Sequence, residues 1–495
     1  MSITSALPQF LELPPSRWRF LAWVRLHPWT LLAIVILLFH AVPFLLKHHS
    51  EWDEVYLRAA GRLLNGGDVY RFEDGYSYPP FMAWLAIPFT VLPTTVSRMV
   101  WFGINLICLI GIWRMAWRMT GGGTLEGIHA TSIKEHLVCF IGVACSARYA
   151  LNGIAHHQTD LVIGALLLGG CWLMLRNRNL SAASCFGLAA AMKCTALLWI
   201  PYLLWRRKWI AASWLLVVAV GVNLLPNLVR APDRGGLWLG EWLTRYIRPL
   251  AAADHYPGHW GSWIIYNQSI SGAANRWLTT GWSWRGSDFQ VLLRPQAISP
   301  QAVKMIVYGG EAVLLAAVTV MLVRRRALMK GQKTPEPPQA EVLEYSLVLL
   351  LMILLSPMSS KPHFSTLVLP AFALARLAVY QDDRILRCLM GLAMVLATLS
   401  LPIWGGRLEF IALWCGSETW NALALLLGCS YSLRRSIHPR PYFAQTKDQV
   451  WRIRGLSGPG GLASRGGPLA PPGSDLETET LELVCQVEPK DSGPM

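Results

Sequence analysis

The sequence is poor in charged residues. Asp, Glu, Lys and Arg together make up 15% of the 495 residues, while hydrophobic residues make up 53% and the mean hydropathy is +0.37. A soluble chain of this length would form about three domains, with roughly a quarter of its residues charged. The composition therefore excludes a soluble multidomain protein and predicts a membrane protein.

Acidic residues are scarcer than basic ones: the chain has 29 Asp and Glu against 44 Lys and Arg, a formal net charge of +15. An excess of this sign can indicate nucleic-acid binding. Here the basic residues occur in short clusters between apolar runs rather than on one polar face. Because cytoplasmic loops of membrane proteins are enriched in Lys and Arg, we interpret the clusters as topology signals and expect no nucleic-acid partner.

The sequence also lacks a disulfide framework and a signal-peptide cleavage site. Its ten cysteines form no disulfide framework, because most of them lie inside apolar runs. No small-residue cleavage site follows the first apolar stretch, residues 29–46, which comes after Arg17, Arg19 and Arg25. We therefore predict an uncleaved first span with its N-terminus in the cytoplasm.

Apolar segments recur along the chain, and 24 Trp residues accompany them, as is typical of a protein with many membrane–water interfaces. The segments are residues 29–46, 80–93, 96–116, 137–151, 160–175, 182–205, 209–229, 303–323, 342–356, 364–380, 385–402 and 409–433. If each crossed the membrane once, basic clusters would fall on both sides, against the positive-inside bias.

Two segments are therefore predicted not to cross. Segment 182–205 has basic clusters at both ends and contains Lys193 and Pro201, which predicts two half-helices that rise to Lys193 and return. Segment 80–93 has about 14 residues where a span needs about 20, so we expect a half-span on the outer side. About ten crossings remain. Broken helices at membrane depth occur only where protein or a water-filled cavity surrounds them, which predicts a cavity on the outer side.

The segments divide the chain into three regions. Residues 1–28 form a cytoplasmic N-terminal segment, and residues 29–433 form an all-α transmembrane domain. Residues 434–495, rich in Pro, Gly, Ser and charge, are expected to be a cytoplasmic tail without a packed core. The predicted outer side receives a first outer loop, residues 47–79, and a large outer loop, residues 230–302.

The first outer loop is chemically unlike the rest of the chain, with four basic and six acidic residues between positions 47 and 78. Apolar residues from Tyr56 to Leu64 follow helical spacing, which predicts an amphipathic helix along the interface, ended by Gly66 and Gly67. Asp53 comes just before this helix, where it would face a polar cavity. Alternatively, Asp53 is a helix N-cap or a solvated acid.

Short motifs in this loop and beyond resemble those of one enzyme family. They are Asp53-Glu54-Val55-Tyr56, Ala59-Ala60, Leu63-Leu64, Gly67-Asp68-Val69-Tyr70, Tyr78-Pro79-Pro80, Gln158, Ala190-Ala191-Met192-Lys193, Pro201-Tyr202-Leu203-Leu204, Asn267-Gln268-Ser269-Ile270 with Arg276, and Ser356-Pro357 with His363. In this order, over about residues 28–380, they resemble the GT-C superfamily of membrane glycosyltransferases, and within it the bacterial polyprenol-phosphate-mannose-dependent mannosyltransferase-like family, glycosyltransferase family 87.

The resemblance implies a GT-C-like helical bundle in the bacterial inner membrane, with both termini cytoplasmic and the active site on the outer side. It implies that a hexose, expected to be mannose, moves from a polyprenyl-phosphate donor to a lipid or glycan acceptor with inversion. Asp53 matches the family's general base. Tyr56, Tyr78, His157 and Gln158 are expected to bind the sugar or the acceptor.

A departing polyprenyl phosphate is a weak base, so it needs charge stabilisation more than protonation. We expect four side chains to hold it: Lys193, Arg276, His363 and Lys361. Lys193 could instead snorkel to the interface, and His363 could be a satisfied interfacial histidine. Asn267, Gln268 and Ser269, in a loop rich in Trp and Tyr, suit hydrogen bonding to sugar hydroxyls, or alternatively packing against lipid.

No metal or other cofactor is expected. His156, His157 and Asp160 invite a metal site, but no pair has the i, i+4 spacing of a helical zinc site, and the donor chemistry requires no metal. Two other functions stay open. Broken helices also mark transporter pathways, although no inverted repeat is visible. A lipid-linked saccharide polymerase or ligase would rely on Arg and His of the large outer loop rather than on Asp53.

Overall fold

A computed structural model of the chain describes residues 49–123, 133–249, 264–278, 298–329 and 338–435, together with residues 44–47 and positions 35, 39 and 41. Regular structure in these residues is helical throughout. Contacts divide the chain into residues 1–454 and 455–495, and all described residues belong to the first unit. Both termini and most of the predicted first span lie outside the described residues, so the predicted division at residues 28 and 434 stays a prediction.

The α-helices of the described residues pack into a bundle and are numbered in chain order. They are α1 Arg58–Asn65, α2 Pro80–Ala86, α3 Thr94–Met119, α4 Ile133–Ala155, α5 Asp160–Leu175, α6 Asn179–Met192, α7 Trp199–Trp205, α8 Trp209–Leu224, α9 Pro226–Val229, α10 Trp238–Trp242, α11 Ile270–Leu278, α12 Pro300–Met329, α13 Pro338–Leu354, α14 Val368–Tyr380, α15 Arg384–Leu399, α16 Gly406–Trp414 and α17 Ser417–Arg435.

Ion pairs define two common ends of the bundle. At one, the ammonium of Lys193, just after α6, lies 2.9 Å from the carboxylate of Asp160, the first residue of α5. At the other, Arg376 near the end of α14 lies 2.7 Å from Glu135 at the start of α4. We call these the site end and the basic end. In the described residues, the segments that pass between the two ends are α3, α4, α5, α8, α12, α13, α14, α15 and α17. The expected number of membrane crossings stays a prediction.

The basic clusters meet at one end, as predicted. Arg206 after α7 lies 2.6 Å from Glu341 at the start of α13, and Arg326 near the end of α12 donates to the carbonyl of Trp205 at 2.6 Å. Arg435 at the end of α17 pairs with Asp383, which caps α15. Clusters far apart in sequence therefore lie together.

The segment after α5 is broken at Lys193, as predicted. α6 ends at Met192, Lys193 is extended (φ −153°, ψ 111°), and a 3₁₀ turn over Cys194–Leu198 leads into α7. The residues of α6 rise about 21 Å, and those from Cys194 to the end of α7 span about 20 Å. The return is therefore long enough to bring α7 back to the level at which α6 began.

Contacts with α8 confirm that the segment is re-entrant. Lys208, just before α8, donates to the Asn179 side chain at 2.7 Å, at the start of α6. Asn223, near the end of α8, donates to the carbonyl of Ala191, near the end of α6, at 3.4 Å. Thus α6 and α8 run parallel, and the chain between them has returned to the basic end. Lys193 lies at the tip, at the site end.

The predicted half-span also stays at the site end. The backbone N–H of Phe81, in α2, donates to the side chain of Asn223 at 3.0 Å. A 3₁₀ turn over Ile87–Phe89 follows, and the ring of Phe89 packs edge-on against Trp52 at a centroid distance of 5.0 Å. The segment begins and ends among site-end residues, as predicted.

The amphipathic helix of the first outer loop is largely as expected. A π-helical stretch over Trp52–Leu57 leads into α1, whose Ala59, Ala60 and Leu63 are buried. Gly66 ends it at φ +90°, a conformation that glycine adopts without strain. Leu64, which also belongs to the apolar spacing, is 38% exposed.

Five described helical segments are long and apolar enough to cross a membrane, and a bent pair would make a sixth. They are Thr94–Met119, Ile133–Ala155, Trp209–Val229, Gln301–Met329 and Lys361–Tyr380. The protein is thus an all-helical, polytopic membrane protein, as the composition predicts.

The bent pair corrects the sequence analysis. Residues 409–433 were expected to form one segment, but α16 ends at Trp414 and α17 begins at Ser417, with a bend of 58° between them. Gly416, at φ +79°, allows the turn. Glu418, fully buried, then binds Arg148 at 3.1 Å, which fixes the start of α17 against α4.

Candidate functional site

One part of the site is built on the first outer loop. Gln158, in the turn between α4 and α5, accepts a hydrogen bond from the Tyr78 hydroxyl at 3.1 Å and a longer one from the Tyr56 hydroxyl at 3.5 Å. Its amide nitrogen donates to a carboxylate oxygen of Glu51. The two tyrosines and the glutamine, all predicted site residues, therefore lie together, and Glu51 joins them.

The second part is the ion pair at the tip of the re-entrant segment. Lys193 and Asp160 are 2.9 Å apart, and their side chains are only 18% and 4% exposed. His363 approaches the same Asp160 oxygen, with its Nε2 at 3.9 Å. Its other ring nitrogen accepts from the backbone N–H of Ser360 at 3.1 Å, in a capping interaction that fixes the ring. The structure thus brings together the predicted phosphate ligands Lys193 and His363.

Charged and titratable side chains of the two parts lie close enough to interact electrostatically. Glu51 interacts with Asp160 and Lys193, and Tyr78 with Asp160 and Glu51. We call Glu51, Tyr56, Tyr78, Gln158, Asp160, Lys193 and His363 the site cluster.

A cavity lies beside Asp160, Lys193 and His363, between α5, the re-entrant tip and the turn after α13. Its polar lining consists of Asp160, Lys193, Thr195, Ser356, Ser359, His363, Ser365 and Thr366. Hydroxyl groups around an ammonium give both hydrogen-bond donors and positive charge, which is the combination that a phosphate group requires. The predicted outer-side cavity therefore has a counterpart at the site end.

The surroundings of Glu51 change the pKa of its carboxyl group. Burial raises the pKa of its carboxyl to about 7, and the charge of Asp160 adds to this, while Lys47, Gln158 and Lys193 oppose it. A carboxyl of this kind exchanges a proton near neutral pH.

Asp53, the predicted general base, lies outside the site cluster. Its Oδ2 accepts two hydrogen bonds from Arg98, on α3, at 2.8 and 2.5 Å. Arg98 also donates to the backbone carbonyls of Leu45 and Lys47, at 3.1 and 2.6 Å. The other oxygen of Asp53, Oδ1, is buried and has no hydrogen-bond partner among the described residues. Asp53 thus ties the end of the first span to α3.

His157, predicted to bind sugar or acceptor, is fully buried beside the cluster. Its Nδ1 lies 2.5 Å from the Ser50 hydroxyl, and its ring stacks on Phe44 at a centroid distance of 3.7 Å. Burial lowers the pKa of the imidazole to about 3, aided by the charges of Lys47 and Arg98. Its predicted contact with sugar or acceptor stays a prediction.

Asn267, Gln268, Ser269 and Arg276 form a separate group around α11. Asn267 and Ser269 both donate to the carbonyl of Pro357 at 3.2 Å, and the Gln268 side chain donates to the carbonyl of Leu413 at 2.7 Å. These contacts join the large outer loop to the turn that carries Ser359 and His363, so the group supports the cavity wall. Their predicted contacts with sugar stay a prediction.

Arg276 and Lys361 already have protein partners. Arg276 is 5% exposed and donates to the carbonyls of Trp414, Ile264 and Asn267 at 2.6–2.9 Å. Burial lowers its pKa to about 9. Lys361 lies 3.0 Å from Glu409 on α16. The structure therefore does not bring these two predicted phosphate ligands into the site cluster.

Sequence analysis missed Glu51, Arg98 and the role of Asp160. Asp160 was considered only as a metal ligand, and no group of three or more His, Cys, Asp or Glu in the described residues could hold a metal. A signal for Asp160 was present, since a lysine inside an apolar segment requires an acid near it.

Comparison with known proteins identifies the family. Residues 76–357, more than half of the 495-residue chain, match the family model of Glycosyltransferase family 87. The chain belongs to this family. The resemblance drawn from the sequence motifs is thereby confirmed.

Two individual proteins are similar to this family 87 chain. The polyprenol-phosphate-mannose-dependent alpha-(1-2)-phosphatidylinositol pentamannoside mannosyltransferase of Mycobacterium tuberculosis (strain CDC 1551 / Oshkosh) is 25% identical over 183 residues, which are 34% of this chain and 40% of that protein. This chain thus spans less than half the length of that relative. ArnT from Cupriavidus metallidurans, in a crystal structure with undecaprenyl phosphate, aligns over 83% of this chain and 79% of its own, with 12% identity and a TM-score of 0.33. A TM-score this low supports no inference about the site.

Proposed function

We propose that this protein transfers a hexose, expected to be mannose, from a polyprenyl-phosphate donor to a hydroxyl group of a lipid or glycan acceptor, with inversion at C1. The observation that carries the proposal is the site cluster. It combines a lysine ammonium, held by a buried carboxylate at the tip of a re-entrant segment, with a hydroxyl-lined cavity and a partly buried glutamate. Family membership supports sugar transfer, and the name of the mycobacterial relative supports polyprenol-phosphate-mannose as donor.

Lys193 and His363 would bind the donor phosphate. Asp160 accepts one N–H of the Lys193 ammonium and fixes its position, which leaves the other N–H groups for phosphate oxygens. As the bond between C1 and the phosphate oxygen breaks, the electron pair moves to the phosphate, and a fixed ammonium stabilises that charge. Lys193 supplies the positive charge of this step, so the proposed reaction uses no metal ion or other cofactor.

The acceptor hydroxyl must lose its proton as its oxygen bonds to C1. A carboxylate of the first outer loop is proposed to take that proton, a step that typically contributes about 10²–10⁴-fold. The resemblance to family 87 implies this role for Asp53, and Glu51 is a second carboxylate in the same loop. Tyr56, Tyr78 and Gln158 surround Glu51 and would contact the acceptor or the sugar.

The membrane side follows from the basic end. Clusters of Lys and Arg favour the cytoplasm, so the basic end is proposed to face the cytoplasm and the site end the outer side of a bacterial inner membrane. A membrane-embedded lipid phosphate reaches the cavity from the bilayer, where the described helices leave many apolar side chains exposed.

The test is transfer by the purified protein in nanodiscs. Radiolabelled hexoses would be offered as polyprenyl phosphates and, in parallel, as nucleotide sugars, with a mixed lipid and glycan extract as acceptor. We expect transfer only from a polyprenyl phosphate, with mannose as the best sugar and an inverted product linkage.

Other outcomes would overturn the proposal in favour of a named alternative. Transfer of a preassembled oligosaccharide, with no use of a monosaccharide donor, indicates a polymerase or ligase. Movement of the intact donor across a vesicle membrane without transfer indicates a transporter.

A further inference from the structure

Glu51 and Asp53 stand two residues apart at the start of one helical stretch. Residues two apart do not share a helix face. The structure accordingly directs the two carboxylates to different partners: Asp53 to Arg98 on α3, and Glu51 to Gln158 beside α5. Only one of them faces the site cluster.

The carboxylate of Asp53 is held by Arg98. Both of its hydrogen bonds from Arg98 fall on Oδ2, while Oδ1 is buried without a partner among the described residues. An acceptor hydroxyl would therefore have to compete with a bidentate guanidinium for one oxygen and open the packing around the other. Arginine–carboxylate pairs of this kind are the stronger class of hydrogen bond, so the competition is unfavourable.

The carboxylate of Glu51 is held through one of its oxygens, Oε2. Its Oε2 accepts from Gln158, which is itself held by the hydroxyls of Tyr78 and Tyr56. Its other oxygen, Oε1, accepts no hydrogen bond from a described residue. This oxygen is not fully buried. A fixed carboxylate with one accessible oxygen is the arrangement that a general base requires.

The surroundings of Glu51 also suit proton transfer. Burial is the main reason that its pKa rises to about 7, and the nearby negative charge of Asp160 acts in the same direction. A general base is most effective when its pKa lies near the operating pH, because it is then both deprotonated and basic.

Resting on the proposed function, we propose that Glu51, not Asp53, is the general base that accepts the proton of the acceptor hydroxyl. The O–H bond of the acceptor breaks as its oxygen bonds to C1. The proton goes to Oε1 of Glu51, the C1–O bond to phosphate breaks, and the lipid phosphate leaves with the electron pair. Asp53 is a positioning residue, which acts through Arg98 on the carbonyls of Leu45 and Lys47.

Matched isosteric variants separate the two carboxylates. Glu51→Gln keeps the side-chain shape and removes the basicity, and Asp53→Asn does the same at the other position. Turnover, melting temperature and binding of the donor lipid would be measured for both. We expect Glu51→Gln to lower turnover about 10²-fold or more with donor binding and folding retained. Asp53→Asn should lower the melting temperature and reduce turnover by less than about tenfold per folded molecule.

A pH profile gives a second readout. In the wild type, kcat/KM should rise with pH and level off above about 7, because the base must be deprotonated. Glu51→Asp keeps a carboxylate with a shorter reach, so it should restore part of the turnover and retain a rising limb, which Glu51→Gln should lack.

The outcomes distinguish this assignment from the proposed function. If Asp53→Asn loses turnover while folding and donor binding persist, and Glu51→Gln keeps more than a tenth of it, the general base is Asp53 and the assignment to Glu51 is overturned. If the wild type transfers sugar from no polyprenyl phosphate, the proposed function fails instead.

Discussion

The pair formed by Lys193 and Asp160 is the clearest single feature that links sequence to function. An apolar chain seldom carries an ammonium in the middle of a hydrophobic segment unless a carboxylate compensates it. Here the carboxylate comes from the first residue of a different helix, 33 positions away. The pair therefore fixes the tip of the re-entrant segment as well as the charge of the cavity.

Removing one partner should destabilise the protein more than removing both. Lys193→Met and Asp160→Asn each leave a buried charge without its partner, which typically costs about 3–5 kcal/mol. The double variant replaces the ion pair by neutral groups of similar volume and should recover most of that loss. Melting temperatures of the three variants in one detergent check this, and equal losses in all three would contradict it.

Because of Glu51, the free energy of unfolding of the protein should decrease as pH rises. The pKa of Glu51 is raised by folding, so the folded state holds this proton more tightly than the unfolded state. The stabilisation is therefore complete below the unfolded pKa near 4.5 and is lost as pH rises through about 7. Glu51→Gln should be more stable than the wild type at pH 8, with the difference shrinking towards pH 5. Thermal unfolding at several pH values measures this without any assay of activity.

At the residue scale, sequence analysis identified the loop that carries both candidate carboxylates. It singled out Asp53 by its motif, and it grouped Tyr56, Tyr78, Gln158, Lys193 and His363 in one site. Which of Glu51 and Asp53 points towards the site cluster depends on where the helix begins. It also depends on the π-helical stretch Trp52–Leu57, which changes the direction in which nearby side chains point. Arg98 lies in an apolar helix far along the chain, and no spacing rule connects it to Asp53.

The re-entrant segment is the element on which the site depends. Its prediction rested on two signals. Basic clusters at both ends of 182–205 cannot lie on opposite sides under the positive-inside bias, and Lys193 and Pro201 interrupt the segment. The bend between α16 and α17 had no comparable charge signal in the sequence, because no basic cluster lies between the two helices. Gly416 allows the turn locally, and the contact of Glu418 with Arg148, far away in the sequence, fixes it.

Close packing of α6 on α8 should be essential for the tip. A Cβ at Gly187 would lie 2.7 Å from Cβ of Val218 and 2.8 Å from the carbonyl oxygen of Leu215. Gly187→Ala should therefore push α6 away from α8, at a cost of about 1–3 kcal/mol, and should weaken binding of the donor lipid through displacement of Lys193.

The matched control is Gly221→Ala, on α8 itself, where a Cβ would meet nothing within 4 Å. It should be neutral or slightly stabilising, because alanine favours helix over glycine. Melting temperature and donor affinity of the two variants compare directly. Similar behaviour in both would show that the contact between α6 and α8 does not position the tip.

At the scale of the whole molecule, the two ends of the bundle organise the protein. Composition predicted a membrane protein, and the distribution of Lys and Arg predicted which loops share an end. The arrangement of helices around the cavity depends on packing between segments more than a hundred residues apart, such as Phe81 in α2 with Asn223 in α8. No periodicity within either segment contains that information.

The two ends should lie on opposite sides of the membrane. Thr95, exposed at the start of α3, marks the site end, and Ser181, exposed at the start of α6, marks the basic end. In a variant without native cysteines, Thr95→Cys should react with a membrane-impermeant maleimide in intact cells, and Ser181→Cys only after permeabilisation. Labelling of both in intact cells, or the reverse pattern, would contradict the topology.

The central claim is that the site cluster binds a polyprenyl phosphate and promotes transfer of its sugar. The most direct test is kcat/KM for transfer of labelled mannose from polyprenyl phosphate in nanodiscs, for the wild type beside the Lys193→Met/Asp160→Asn double variant. This variant should stay folded but lack the fixed ammonium. A lost charge-assisted hydrogen bond of roughly 1.5–3 kcal/mol predicts a decrease of about tenfold or more. Equal kcat/KM in a folded double variant, or no transfer by the wild type, would contradict the account.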